Sequence, residues 1–220
     1  MTTTEVLVNF AHGVLGALEL FVLSAIFSLV LGAVLAVLRV SPIPVFRAVG
    51  TVYVTVVRNT PMVLLMFFCV FGLPFLAVRF SDTAAVNSFI YAVIALSLYT
   101  AAFVCEVFRS GISTIPVGQS EAARAIGLNF FQSLQFVILP QAIRTVVAPL
   151  ASVLITMLKG TSIASAFNNQ EIIYAMKNAI EKRGDIVIPI LLGTALVYLL
   201  LNLALGRVFS YLERKAVILR

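Results

Sequence analysis

Residues 20–38, 60–78, 83–105 and 186–206 contain no Asp, Glu, Lys or Arg, and each run is long enough to cross a lipid bilayer. At about 1.5 Å per residue, roughly 19 residues reach about 28 Å, close to the ~30 Å hydrocarbon core. Hydrocarbon offers no hydrogen-bond partner to a peptide group, so runs like these must be helical. A fifth run, 145–158, is shorter but continues through Lys159 into residues 160–167. A single lysine is tolerated there if its side chain faces a bundle interior or water. The composition agrees: 61% of residues are hydrophobic and 11% charged, whereas a soluble domain carries about a quarter charged residues. The expectation is an all-α polytopic membrane protein, one membrane domain over residues 1–220 with five transmembrane helices.

The net charge of +6 would raise the question of nucleic acid in a soluble protein. Here the basic residues fall singly between apolar runs, so they are a topology signal. Arg39, Arg47, Arg58, Arg109, Arg124, Arg144, Arg207, Arg214, Lys215 and Arg220 fall on one side. The other side holds Arg79, Lys177, Lys182 and Arg183, mixed with Asp82, Glu171, Glu181 and Asp185. Cytoplasmic loops keep the positive excess, which puts the N-terminus outside and the C-terminus in the cytoplasm. The first eleven residues carry only Glu5 as a charge and form no basic leader, so the first span is expected to be a retained anchor. Cys69 and Cys105 sit inside apolar runs, far from any metal or redox spacing, and are read as small buried side chains. With His12 as the single histidine, a histidine-rich metal site is excluded.

Ser41-Pro42-Ile43-Pro44 must break the first helix, because proline disfavours helix at itself and at the residue before it. A moderately polar segment then leads to Pro61. The loop of residues 110–140 is cytoplasmic by the charge rule. It contains Gln119-Ser120-Glu121-Ala122-Ala123-Arg124-Ala125-Ile126-Gly127, a run of good helix formers closed by a glycine suited to the position past a helix end. Residues 128–139 read as a second helix stopped by Pro140. On physical grounds alone the hairpin either docks on a partner or merely joins two spans.

Glu121-Ala122-Ala123, Gly127, then Val137, Leu139 and Pro140 resemble the "EAA" signature of ABC importer permeases, with Val137 where isoleucine is usual. Arg58-Asn59-Thr60-Pro61, Phe71-Gly72-Leu73-Pro74, Glu106 to Ile112, Gly118-Gln119 and Leu139-Pro140-Gln141 are similar to stretches of the polar amino-acid permeases in that family. The resemblance implies a type I ABC importer transmembrane fold over about residues 14–208, with residues 110–140 as the coupling loop. It implies two cytoplasmic ATPase subunits, a second permease subunit and an external solute-binding protein in a bacterial cell membrane. ATP and Mg would be used by the ATPase partner, with no cofactor bound by this chain. Glu121, Ala122, Ala123, Arg124, Gly127, Leu139 and Pro140 are then the ATPase-coupling residues: small Ala122, Ala123 and Ala125 allow close approach, and Glu121 and Arg124 make polar contacts at the rim. Where the family often reads Leu-Lys-Asp-Thr-Ser, this chain has Leu158-Lys159-Gly160-Thr161-Ser162, and Ala151-Ser152 replaces a frequent Gly-Asn pair. Substrate contacts through those missing groups are not expected.

Within the fourth span Thr145, Ser152, Thr156 and Lys159 fall on one helical face. They form either a polar stripe along a substrate path or self-satisfied hydroxyls of the kind common in membranes. Lys159 either meets a substrate carboxylate, pairs with an acid such as Glu106, or snorkels. Glu106 and Arg109, three apart, are expected to pair with one another. Glu19 and His12 read as interfacial and exposed. No P-loop is present, so ATP hydrolysis must come from elsewhere. An ion-gradient transporter or channel is the alternative, although no inverted repeat is visible. An intramembrane enzyme lacks a catalytic constellation. The likeness to glutamate-type permeases of actinobacteria, together with Lys159, implies glutamate as cargo, then glutamine or aspartate.

Overall fold

The computed structural model describes residues 2–218, and among these every regular element is helical. In chain order they are α1 (Thr3–Val40), α2 (Pro44–Arg58), α3 (Met62–Phe75), α4 (Ala84–Ser113), α5 (Val117–Ala125), α6 (Phe130–Phe167), α7 (Ile172–Lys182) and α8 (Val187–Ile218). Helices α1, α4, α6 and α8 are each long and apolar enough to cross a membrane. The expected second span falls on the pair α2 and α3, which is bent by 104° at the Asn59–Pro61 break and makes a fifth crossing only if the bent pair is taken as one span. Arg220, one of the basic residues used for topology, lies outside the described residues.

Sequence and structure differ at three places. Helix α1 begins well before residue 20, because Thr2 and Glu5 form a reciprocal capping box that satisfies its first free N–H groups. The moderately polar segment before Pro61 is a helix, α2, with Pro44 in its first turn. Proline is welcome there because that N–H has no intrahelical partner. Its polarity has a simple origin: it buries only Gly50 and Val54 and exposes much of the rest. The third difference is the largest. The second hairpin helix does not stop at Pro140 but runs unbroken into the fourth span as α6. A π-helical turn over Leu134–Ile138 precedes the proline, and its wider bonding lets the ladder pass a residue with no N–H. The Gln141 side-chain amide also donates to the Val137 carbonyl at 2.8 Å, an added bond beside the proline.

Helix α4 is the central post. Ala92, Ala95, Ala101 and Ala102 on it are essentially fully buried, and small side chains of this kind let neighbouring helices approach closely in lipid, where packing replaces the hydrophobic drive. Leu20, Met66, Leu96 and Ala164 form one core cluster joining α1, α3, α4 and α6. Leu35, Val54, Ala101 and Cys105 form a second, joining α1, α2 and α4. Val6, Ala179 and Ile190 tie α7 and α8 to the start of α1. Both cysteines are buried and unbridged, as the sequence implied.

Gly16 on α1 sits against the Gln170 backbone, where a Cβ would collide with the Gln170 carbonyl oxygen. Gly16→Ala should therefore destabilise the protein. The substitution gains about 0.5–1 kcal/mol of helix propensity, but overpacking against a backbone atom costs about 1–3 kcal/mol. Thermal unfolding in detergent should show a lower midpoint for Gly16→Ala. Gly72→Ala, where a Cβ would meet nothing within 4 Å, should show no such drop.

Candidate functional site

The polar face expected on the fourth span is present on α6. Thr145, Ser152, Thr156 and Lys159 are all exposed on the isolated chain, not buried in its core. Ser152 and Thr156 line a cavity of about 360 Å³ between α3, α4 and α6, together with Met62, Tyr99, Thr100 and Phe103. Tyr99 and Phe103 pack with their rings tilted by 47° at a centroid distance of 5.1 Å and form its aromatic wall. Two of the hydroxyls also bond their own helix: Thr145 donates to the Ala142 carbonyl at 2.9 Å and Thr156 to the Ser152 carbonyl at 2.9 Å. A hydroxyl that donates inward still presents oxygen lone pairs outward, so these internal bonds leave the stripe able to accept a hydrogen bond.

Lys159 does not pair with Glu106. Glu106 is taken by three arginines from three helices: Arg39 of α1 at 2.6 Å, Arg109 of α4 at 3.1 Å and Arg58 of α2 at 3.2 Å. The expected Glu106–Arg109 pair is thus one arm of a larger cluster. Arg39 is the deepest member, with 13% of its side chain exposed, against 45% for Arg58. Arg58 also places its guanidinium carbon 5.5 Å from the centre of the Phe103 ring, a cation–π contact that brings the cluster to the wall of the cavity. Among the described residues Lys159 makes no ion pair. It stands one helical turn beyond Thr156, so the cavity has a cation toward each end.

The Glu-Ala-Ala segment forms α5, beyond the end of the α4 span, with the glycine in the conformation its position suggested. Gly127 has φ +88°. Its N–H bonds the Arg124 carbonyl at 2.9 Å while the Leu128 N–H bonds that of Ala123 at 3.1 Å, the two bonds of a Schellman end. Asn129 and Gln132 then cap the start of α6 reciprocally. Ala123 is turned into the hairpin and is 3% exposed. It is occupied in internal packing, which corrects the expectation that it faces a partner. Glu121, Ala122, Arg124, Ala125 and Pro140 are exposed and Leu139 is half-buried. The outward surface also carries Val117 and Ile126, 69% and 78% exposed.

Glu171 was not foreseen from the residues around it. It is fully buried; its carboxylate accepts the Tyr174 N–H at 2.9 Å, capping α7, and the Tyr198 hydroxyl at 2.9 Å. Burial pushes its carboxyl pKa up, against the opposing pull of those hydrogen bonds. The aromatic wall was missed too, though Tyr99, Phe103 and Glu106 at offsets of four and three already share a helical face. Glu19 and His12 are exposed, as expected.

A family model described as "Binding-protein-dependent transport system inner membrane component" matches residues 28–218. The chain is 40% identical over 207 residues to the glutamate transport system permease protein GluC of Corynebacterium efficiens, covering 91% of each chain. It is 36% identical over 203 residues to the probable glutamine ABC transporter permease protein GlnP of Bacillus subtilis, covering 91% of this chain and 90% of that one. Among solved structures it superposes with a TM-score of 0.84 and 25% identity on a chain of an amino acid ABC transporter crystallised with histidines, covering 98% of this chain and 100% of the other.

The raised Glu171 pKa has a definite sign. A carboxyl that holds its proton more tightly when folded stabilises the fold at low pH, and that contribution is lost as pH climbs from the ordinary carboxylate range through the raised value. Glu171→Gln keeps an oxygen for the Tyr198 hydroxyl and removes the titration. Unfolding midpoints measured from mildly acidic to neutral pH should fall for the parent protein and flatten for Glu171→Gln; equal slopes would contradict the assignment.

Proposed function

The chain belongs to the family of binding-protein-dependent transport system inner membrane components, and from that premise we propose that it is the permease subunit of an ATP-driven importer whose cargo is glutamate, then glutamine or aspartate. As a family member it is a multi-pass inner-membrane protein and a transport component, so the gradient-driven alternative raised by the sequence falls away. Support for an acidic cargo comes from the glutamate permease relative and from the cations at both ends of the cavity, Lys159 and Arg58. Ser152 and Thr156 supply neutral oxygens between them.

The observation that carries the mechanism is the exposed surface of α5, which lies outside the candidate spans and leaves Val117 at its start and Ile126 just past its end uncovered. We read it as the contact with a cytoplasmic ATPase subunit, with Ala122 and Ala125 permitting close approach and Glu121 and Arg124 fixing register at the rim. A nine-residue helix is marginal in isolation, so its Schellman end, and Ala123 packed beneath it, give it the rigidity a lever requires. Two such ATPases would hydrolyse ATP with Mg, a second permease subunit would complete the path, and an external binding protein would deliver cargo. The basic loops place the N-terminus outside and the C-terminus in the cytoplasm.

Transport proper is alternating access. The cavity opens to one side, closes around its cargo and opens to the other, and the energy is supplied where α5 is held. In this chain the hydroxyls of Ser152 and Thr156 orient the cargo while Lys159 offsets the cost of bringing its carboxylate into a partly dry path.

In vesicles containing the permease, ATPase and binding protein, labelled glutamate should accumulate only with ATP. A reporter fused at the C-terminus should read cytoplasmic and one inserted near Lys182 external. Ile126→Asp leaves the fold intact, because the site is exposed and surface changes stay within about 0.5 kcal/mol. It places a charge in the proposed contact at a cost of several kcal/mol. The variant should reach the membrane but lose ATPase co-purification and uptake, and retention of both would overturn the coupling assignment. Ala123→Asp is the wrong probe, since it disrupts the hairpin itself.

A further inference from the structure

We propose that Arg58 is the receptor for an amino-acid carboxylate at the inner end of the cavity, and that it exchanges Glu106 for the cargo during passage. The inference rests on the transport function proposed above and names a binding residue for it. Three features single out Arg58 among the arginines of the cluster.

The first is charge. One carboxylate faces three guanidinium groups, so the cluster carries two uncompensated positive charges. An anion arriving there meets attraction that Glu106 alone has not cancelled.

The second is exchangeability. Arg39 and Arg58 share the Oε1 oxygen of Glu106, at 2.6 and 3.2 Å, while Arg109 holds Oε2 at 3.1 Å. If Arg58 swings away, Glu106 keeps a charged partner on each oxygen. If Arg39 leaves, a mostly buried guanidinium loses its partner, which is expensive. Arg58 has the longest of the three contacts and the most exposed side chain, 45%. It is therefore the member that can change partner at least cost.

The third is position. Arg58 is the last residue of α2, directly before the break that turns the chain into α3. Its backbone is held, since Asn59 and Thr60 fold their side chains back onto the Thr55 and Val56 carbonyls at 2.7 and 2.8 Å. The side chain lies over Phe103, whose ring lines the cavity. A guanidinium lying over this ring is within a side-chain swing of the space beside Ser152 and Thr156. Its planar fork of donors matches a carboxylate at two points, which an ammonium does not.

The test uses the purified permease–ATPase complex without binding protein, so that the affinity measured belongs to the membrane subunits. Labelled glutamate is bound directly, with glutamine and the α-amide of glutamate as competitors. Arg58→Gln should weaken glutamate binding roughly tenfold or more, the loss expected for a charge-assisted hydrogen bond. It should also abolish the preference for glutamate over whichever amide lacks the carboxylate that Arg58 reads, and Arg58→Lys should restore part of both. Unfolding temperature and ATPase co-purification should be retained. A purely structural clamp would lower the unfolding temperature and weaken all three compounds alike, and that result would overturn the proposal. So would unchanged affinity and discrimination in Arg58→Gln while wild-type vesicles still take up glutamate with ATP, a result that leaves the transport reading standing. If wild-type vesicles take up no amino acid, the transport reading fails and the role of Arg58 with it.

Discussion

The Glu106 carboxylate is the point at which three helices that share little other polar contact are made to agree. Arg39 arrives from the end of α1, Arg58 from the end of α2, and Arg109 from the next turn of α4 itself. Glu106 and Arg39, the most enclosed of its partners, could not be left unpaired so close to hydrocarbon, because a lone ion there costs several kcal/mol. The more exposed Arg58 joins the same acid at lower stake, so the three helix ends meet at one carboxylate without each depending on it equally. The apolar cluster of Leu35, Val54 and Cys105 packs directly beside this group, which limits water and strengthens every electrostatic contact within it. The 104° turn between α2 and α3 follows from that anchoring. α2 must end at Glu106, α3 must run along α4, and Asn59-Thr60-Pro61 makes the corner.

Packing explains why α4 carries the site. It is the most enclosed of the spans, while α6 and α8 are largely uncovered by the rest of the chain. A helix enclosed by alanines and neighbouring helices has little freedom, so the residues it presents to the cavity, Tyr99, Thr100 and Phe103, form a fixed wall. The facing wall on α6 is Ser152 and Thr156, on a helix with far less to hold it. The cavity therefore has one rigid side and one that can move.

The helical spans and the short helix closed by Gly127 were legible because they rest on strong, local physics. Charge-free runs of bilayer length have few alternatives, and Gly127 had to be a left-handed residue for a short helix to end there. The order of charges and the Glu-Ala-Ala pattern pointed to the family to which the chain belongs. What was illegible depends on partners distant in sequence. Helix α2 is an exception: its residues are amphipathic at the helical period, and it read as a connector because Pro42, Pro44 and Pro61 bracket it. Pro140 misled because proline ordinarily ends a helix, and only a π turn, invisible in composition, carries the ladder past it. Arg39 and Glu106 are 67 positions apart, and nothing local to either reveals the other. Glu171 was read as a loop charge, whereas it is buried, capping α7 and bonded to a tyrosine 27 positions away.

The continuity of α6 gives the architecture its mechanical logic. Helix α5 packs on the π turn of α6, and from that turn a single helix runs to Phe167, carrying Thr145, Ser152, Thr156 and Lys159 along one face. A displacement imposed at the tip of α5 thus reaches the cavity without crossing a loop. Compliance is confined to two places where the hydrogen-bond ladder is weakened, the π turn at Leu134–Ile138 and the interior Pro149. The first lies at the α5 contact itself and the second between that contact and Ser152, so the segment bearing Ser152, Thr156 and Lys159 can tilt as a unit against the wall of α4. A proline stop at residue 140, as the sequence suggested, would have placed a flexible joint in that path and dissipated the motion. Bypassing the proline by a π turn is therefore what makes the cytoplasmic hairpin and the membrane cavity parts of one lever.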